Sequence, residues 1–125
     1  MGSIGSWYLK GIPARTNETV QAGFSANYLR KNKRPLGGKL YVTSERVIFT
    51  CHRIDAFFDG ESFERDLGEI VAVGQMRADS DDGYAGGGEP RLRMVDLNGE
   101  EGIFIVHKLP KAVSTIDNAV ADAIN

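Results

Sequence analysis

Residues 36 to 51, Leu-Gly-Gly-Lys-Leu-Tyr-Val-Thr-Ser-Glu-Arg-Val-Ile-Phe-Thr-Cys, restrict the fold more than any other stretch of the chain. Leu40 and Val42 alternate with Tyr41 and Thr43, the polar pair Ser44-Glu45 interrupts, and Val47-Ile48-Phe49 follows. A strand sends successive side chains to opposite faces, and β-branched and aromatic residues suit its half-buried surface. The stretch reads as two short strands of a hairpin meeting at a tight polar turn.

Period-two alternation recurs on both sides of this hairpin. Val20, Ala22, Phe24 and Ala26 share one face of a long strand that continues through Asn27-Tyr28-Leu29. Phe63, Arg65 and Leu67 oppose Glu64 and Asp66, and Ile70 to about Arg77 forms another strand. Leu92, Met94 and Asp96 oppose Arg93, Val95 and Leu97, and Gly102 to His107 follows. Asn98-Gly99 between these last two strands predicts a type I′ turn, in which both central residues take positive φ. The period then changes. Leu109, Ala112, Val113, Ile116, Ala119, Val120, Ala123 and Ile124 lie on one stripe at helical spacing. A helix of ~15 residues would run about 22 Å, enough to cover the open end of a small barrel.

The expected fold is therefore α+β and mainly β: a curled antiparallel sheet or small barrel of about seven strands, closed by a C-terminal helix. Residues 1–17 form a lead-in without clear periodicity, and residues 18–125 form the single domain. Trp7, Tyr8 and Leu9 are too apolar to dangle in water and are expected to pack on the domain or on a second subunit.

A chain of 125 residues suits one domain that needs neither disulfides nor a metal to fold. Its net charge of −2 argues against a dedicated nucleic-acid binder. The single cysteine, Cys51, cannot form an internal disulfide and fits a reducing compartment. No apolar run approaches the ~20 residues that cross a bilayer, and no signal peptide is visible. The expectation is a cytoplasmic protein, with peripheral membrane attachment as a variant. Met1-Gly2-Ser3-Ile4-Gly5-Ser6 matches the myristoylation pattern and Asn17-Glu18-Thr19 a glycosylation sequon. Both are read as coincidence.

Ala26-Asn27-Tyr28, Gly38-Lys39-Leu40-Tyr41-Val42-Thr43, Arg46-Val47-Ile48-Phe49, His52 with Asp55, and Leu67 with Ile70 together resemble bacterial GRAM domains. The resemblance runs from about Ala26 to Val73. It departs at Cys51, where such domains carry proline, and at Phe63, where tryptophan is commoner. It implies the pleckstrin-homology-like fold and a binding module without catalysis or cofactor. These are framework residues, so they speak for fold more than for ligand.

The chemistry-bearing candidates are few. Arg30, Lys31, Lys33, Arg34 and Lys39 cluster around the loop at residues 30–39. A hairpin loop can converge cations and backbone N–H groups on a multiply charged anion, and in pleckstrin-homology relatives the corresponding loop often holds inositol phosphates. The competing reading is a solvated loop. Near an anionic membrane each cation is worth ~1 kcal/mol, so five give about 5 kcal/mol and sub-millimolar affinity. Asp79-Ser80-Asp81-Asp82-Gly83 fails as a calcium loop. Counting from Asp79, Gly83 takes a ligand position, Tyr84 the turn that demands glycine, and Pro90 the closing carboxylate. His52 with Asp55 lacks the nucleophile or metal of a catalytic pair, and His107 reads as a cap or packing residue.

The leading functional expectation is recognition of an anionic lipid headgroup or membrane surface through residues 30 to 39. The alternative is a protein-interaction or homo-oligomeric scaffold that uses sheet edges and the apolar N-terminal segment. No catalytic residue, metal, cofactor or nucleic-acid partner is expected.

Overall fold

The computed structural model describes residues 8–9, 12–52, 61–78, 83–84 and 87–124. The expectations for Trp7, for the myristoylation pattern, for Asp55 and for most of the acidic loop fall outside them. The lead-in holds two short strands, β1 (Tyr8–Leu9) and β2 (Ile12–Pro13), paired antiparallel. Then come β3 (Val20–Leu29), β4 (Leu36–Thr43), β5 (Arg46–Cys51) and β6 (Phe63–Asp66). A 3-10 turn at Leu67–Glu69 leads into β7 (Ile70–Met76), and β8 (Arg91–Asp96), β9 (Glu101–Val106) and the helix α1 (Leu109–Ala123) complete the chain.

Seven strands join in one sheet of order β6-β5-β4-β3-β9-β8-β7, antiparallel throughout. Its two end strands, β6 and β7, are consecutive in the chain. Laid flat, six strand spacings would separate them by about 29 Å. Asp66 to Ile70 can span at most about 14 Å. The sheet must therefore curl until its ends approach.

Curling creates one interior. Phe104 lies at its centre, stacked on Tyr28 at 4.9 Å and edge-on to Phe63 at 5.2 Å, with Phe49 at 5.6 Å. Such pairs add about 0.5–1.5 kcal/mol each beyond burial. The helix covers the remaining opening with Ala112, Ile116 and Ala119 buried, while Ile124 at the end of the expected stripe is exposed. Lys108 caps the helix backbone in the left-handed region (φ 59) with no side-chain hydrogen bond. The exposed His107 is thus not the cap; its backbone N–H donates to the Ser25 carbonyl at 2.9 Å.

Two glycines leave room for this closure. A Cβ at Gly38 would stand 2.0 Å from the Thr50 carbonyl oxygen of the neighbouring strand. A Cβ at Gly102 would lie 2.6 Å from the Phe63 ring. The β8–β9 connection differs from expectation: only Gly99 is left-handed (φ 80), and its N–H donates to Asp96 O at 2.9 Å. Asn98 keeps negative φ because Asp96 holds the turn from inside. The Asp96 carboxylate accepts the Asn98 and Glu100 N–H groups at 2.8 and 3.0 Å, favouring an ordinary turn that ends in a left-handed glycine.

The segment before β3 is fastened by charge. Glu18 is fully buried, and its carboxylate takes two bonds from Arg46, through Nε and Nη2, both at 2.8 Å. The Thr43 hydroxyl (2.6 Å) and the Arg15 N–H (2.9 Å) complete its four acceptor positions. Arg46 also donates to Pro13 O and to Glu64, so it ties the lead-in to β5 and β6 at once. Burial alone would raise the Glu18 pKa. The bonds from Arg46, the Arg15 backbone and Thr43 overcome that and hold it below its ordinary value. Sequence spacing hides the pair, since Glu18 and Arg46 are 28 residues apart.

Two outcomes follow. Gly38→Ala should cost at least about 1–3 kcal/mol, because backbone atoms must move to admit the methyl group; urea denaturation checks this. Glu18→Gln should cost about 3–5 kcal/mol at neutral pH by leaving Arg46 buried with one partner fewer. A carboxyl whose folded pKa is depressed stabilises above its unfolded value and loses that contribution as pH falls through the folded one. Wild type should therefore lose stability below about pH 4, and the variant should show a flatter acid limb in melting curves.

Candidate anion-binding surface

β3 ends where its partner β9 begins, with Leu29 opposite Ile103. The chain turns over residues 30–35 and re-enters the sheet at Leu36. Asn32 takes a left-handed conformation (φ 59), which asparagine tolerates better than most residues. Its N–H donates to Gly83 O at 2.8 Å, anchoring the turn to the β7–β8 connection.

The five expected cations separate into three kinds. Arg30 is a buried brace: Nη1 pairs with Glu61 Oε1 at 3.1 Å and Nη2 donates to Arg34 O at 2.8 Å. Its guanidinium holds the loop's two ends together and faces protein oxygens. Lys31, Lys33 and Arg34 are exposed on the turn itself, with the Lys31 Nζ 5.9 Å from the Tyr84 ring centroid. Lys39 is exposed on the outer face of β4, opposite Ser25 and Thr50, about 10 Å of strand beyond Leu36. The structure brings Lys31, Lys33 and Arg34 together around Arg30 and leaves Lys39 apart.

Beside the turn lies a shallow cleft of about 340 Å³ lined in part by Tyr28, Lys31, Lys33, Glu61, Tyr84 and Glu101. Burial, with the Glu61 charge behind it, pushes the Tyr28 phenol up, so it stays protonated and able to donate at neutral pH. Among the described residues, several carboxylates near the turn have arginine partners. Glu61 has Arg30, Glu101 has Arg93 Nε at 2.6 Å, and Arg65 serves both Asp96 (2.9 Å) and Glu100 (3.4 Å). Burial would raise Asp96, but the Glu100 and Asn98 N–H groups and Arg65 outweigh it and keep the group ionised.

None of these arginine partners is adjacent in sequence to the acid it serves, so no local pattern could have found them. Arg65 and Asp96 are 31 residues apart. His52 is exposed, and its N–H donates to Gly37 O at 2.8 Å. Among the described residues no three His, Cys, Asp or Glu side chains are grouped for a metal, and no helix is long and apolar enough to cross a membrane.

No protein-family model matches the chain, and no curated protein does. Solved structures do match. One is the Vps36 N-terminal PH domain, 16% identical, with a TM-score of 0.64 over 98% of this chain and 90% of that one. Another is the C-terminal domain of an unknown protein from Leishmania infantum, 12% identical, with a TM-score of 0.61 over 83% and 85% of the two chains. At such identities the likeness concerns the fold, and together with the sheet order it establishes a pleckstrin-homology-like fold.

Arg30→Ala should loosen the turn: amide exchange at Asn32 and Lys33 should rise about tenfold or more, as local opening becomes easier. Single alanines at Lys31, Lys33 or Arg34 should each shift stability by less than about 0.5 kcal/mol in urea denaturation.

Proposed function

We propose that this chain is a non-enzymatic binding module that attaches to anionic surfaces, lipid headgroups foremost, through Lys31, Lys33 and Arg34. The framework residues that resemble GRAM domains agree with such a module, and the fold is one that hosts binding sites on its loops. The observation that carries the reading is the braced turn. Arg30 and Asn32 fix its backbone, and three cations remain exposed on it.

Arg30 positions the loop in this reading and Lys39 contributes at a distance. Three surface cations at ~1 kcal/mol each give about 3 kcal/mol, weaker than millimolar for one copy. Attachment is then peripheral and reversible, in the cytoplasmic compartment, and strengthened by avidity wherever several copies meet.

The alternative, a scaffold that pairs through sheet edges, is opposed at β6. The Glu64 carbonyl already accepts from Arg65 Nη1 at 2.7 Å, and the Asp66 N–H donates to Glu69 Oε1 at 3.3 Å. Side chains thus occupy the groups that an incoming strand would use.

Co-sedimentation with phosphatidylcholine vesicles, with and without phosphatidylserine, tests the proposal. Wild type should sediment with the anionic vesicles alone, and less so as salt shortens the screening length to about 10 Å at 0.1 M and below. The triple variant Lys31→Ala, Lys33→Ala, Arg34→Ala should lose most of that binding with its melting temperature nearly unchanged. Absence of wild-type binding at low salt would remove the proposal and favour the protein-interaction role.

A further inference from the structure

The outer face of the sheet carries a second cleft, of about 300 Å³, lined in part by Ser25, Asn27, His52, Glu89, Ile105 and His107. The chain has two histidines, and both are here. Alternation places the side chains. Phe24 and Ala26 enter the core, so Ser25 and Asn27 face out; Phe104 and Val106 enter it, so Ile105 and His107 face out. His52 follows β5 and donates its N–H to Gly37 O at 2.8 Å. Glu89 comes from the β7–β8 connection, which Arg91 holds by donating from Nη2 to Gly87 O at 3.2 Å.

The register sets the spacing. Ser25 pairs with Lys39 on one side, and on the other its carbonyl accepts from the His107 N–H at 2.9 Å. Lys39 and His107 thus flank Ser25 at two strand spacings, about 10 Å. Asn27 pairs with Gly37, which has no side chain to fill the space between Asn27 and His52. Small residues form the floor, and an ammonium and two imidazoles stand around it. Two N–H donors on opposite sides of a tetrahedral oxyanion lie about 8 Å apart, so side chains leaning in from such a separation can hold one between them. Elsewhere arginines and acids engage each other. Here no hydrogen bond or ion pair ties the Ser25, Asn27, Lys39, His52 or His107 side chain to another described residue.

We propose that this cleft binds a phosphate group, held by Lys39, His52 and His107 around the Ser25 hydroxyl and the Asn27 amide. These side chains supply donors of the kind a phosphate oxygen accepts: ammonium, imidazole, hydroxyl and amide. The charged and titratable groups around the cleft, among the described residues, are Lys39, His52, His107, Lys108 and Glu89. Glu89 opposes an anion, and the two lysines offset it at neutral pH. Histidine gains its charge between about pH 8 and pH 5, so the cleft turns more positive as pH falls. None of Lys31, Lys33 and Arg34 lines it, and the site does not depend on the surface-attachment reading.

The probe is sulfate, which keeps its charge across this pH range, followed by amide NMR at an ionic strength held constant with chloride. Signals of Ser25, Asn27, His52 and His107 should shift and saturate at about millimolar sulfate, the affinity that a few exposed charges permit. Binding should tighten several-fold from about pH 7.5 to about pH 5.5. Inorganic phosphate should displace the sulfate. Displacement by O-phosphoserine as well shows that the group can be carried on a larger molecule, and its failure confines the site to the free anion; both outcomes support the site. Lys39→Ala and His107→Ala should each weaken binding roughly three- to tenfold, and Glu89→Gln should tighten it. The triple alanine variant at Lys31, Lys33 and Arg34 should leave it unchanged. All these positions are exposed, and melting curves check that the variants fold. Shifts confined to residues 31–34, shifts equalled by chloride, or an affinity indifferent to pH would each overturn the proposal.

Discussion

The two end strands of the sheet are neighbours in the chain, and only the short turn from Leu67 to Glu69 joins them. A flat sheet cannot satisfy that connection, so curvature is imposed by covalent length before any side chain is considered. Once the sheet curls, three aromatic rings from three strands converge on Phe104. The remaining opening needs a cover, and the apolar stripe of α1 supplies it. The helix would be marginal in isolation and is held by this packing. Closure also sets the loops in place. The β3–β4 turn is set against Gly83 of the β7–β8 connection, and the β8–β9 turn against Glu69.

Charge is handled in two ways. Around Glu18 and Arg46 it is buried and saturated, with each carboxylate oxygen accepting twice, so the lead-in is fastened without much apolar contact. A saturated pair of this kind repays its desolvation only through complete hydrogen bonding. Elsewhere Arg30 and Arg93 each take one acid, and Arg65 takes two. The same residue type thus serves structure in both places, while Lys31, Lys33 and Arg34 stand exposed on the turn. Arginine's planar fork suits fixed partners, whereas lysine acts as a mobile point charge.

Much of the architecture was legible in local pattern. The hairpin at Ser44-Glu45, the long strand ending at Leu29, the final hairpin and the amphipathic helix all follow from alternation or helical spacing, which are properties of consecutive residues. The turn at Asn98-Gly99 was recognised but given the wrong geometry. The dipeptide signal could not register the Asp96 side chain, which supplies the turn's hydrogen bonds from outside the pair. The basic loop was visible as a charge cluster, yet its division into brace and surface was not. Arg30 looks like its neighbours in sequence and differs only because Glu61, beyond an intervening strand pair, meets its guanidinium. The short β1–β2 pairing and the Glu18–Arg46 bond escaped for the same reason: each depends on contacts that periodicity does not encode.

The space above Gly102 has a consequence for how such a chain can vary. The Phe63 ring occupies the volume that any side chain at position 102 would need, and β6 and β9 meet there across the barrel interior and not along a shared ladder. Substitution at one position is therefore constrained by the other although no hydrogen bond links them. A bulkier ring at 63 is compatible with glycine at 102 only if Phe104 gives way, and a methyl at 102 requires a smaller residue at 63. Across related sequences the two positions should drift as a pair, with their summed volume nearly constant, leaving a co-variation signal that records barrel closure itself.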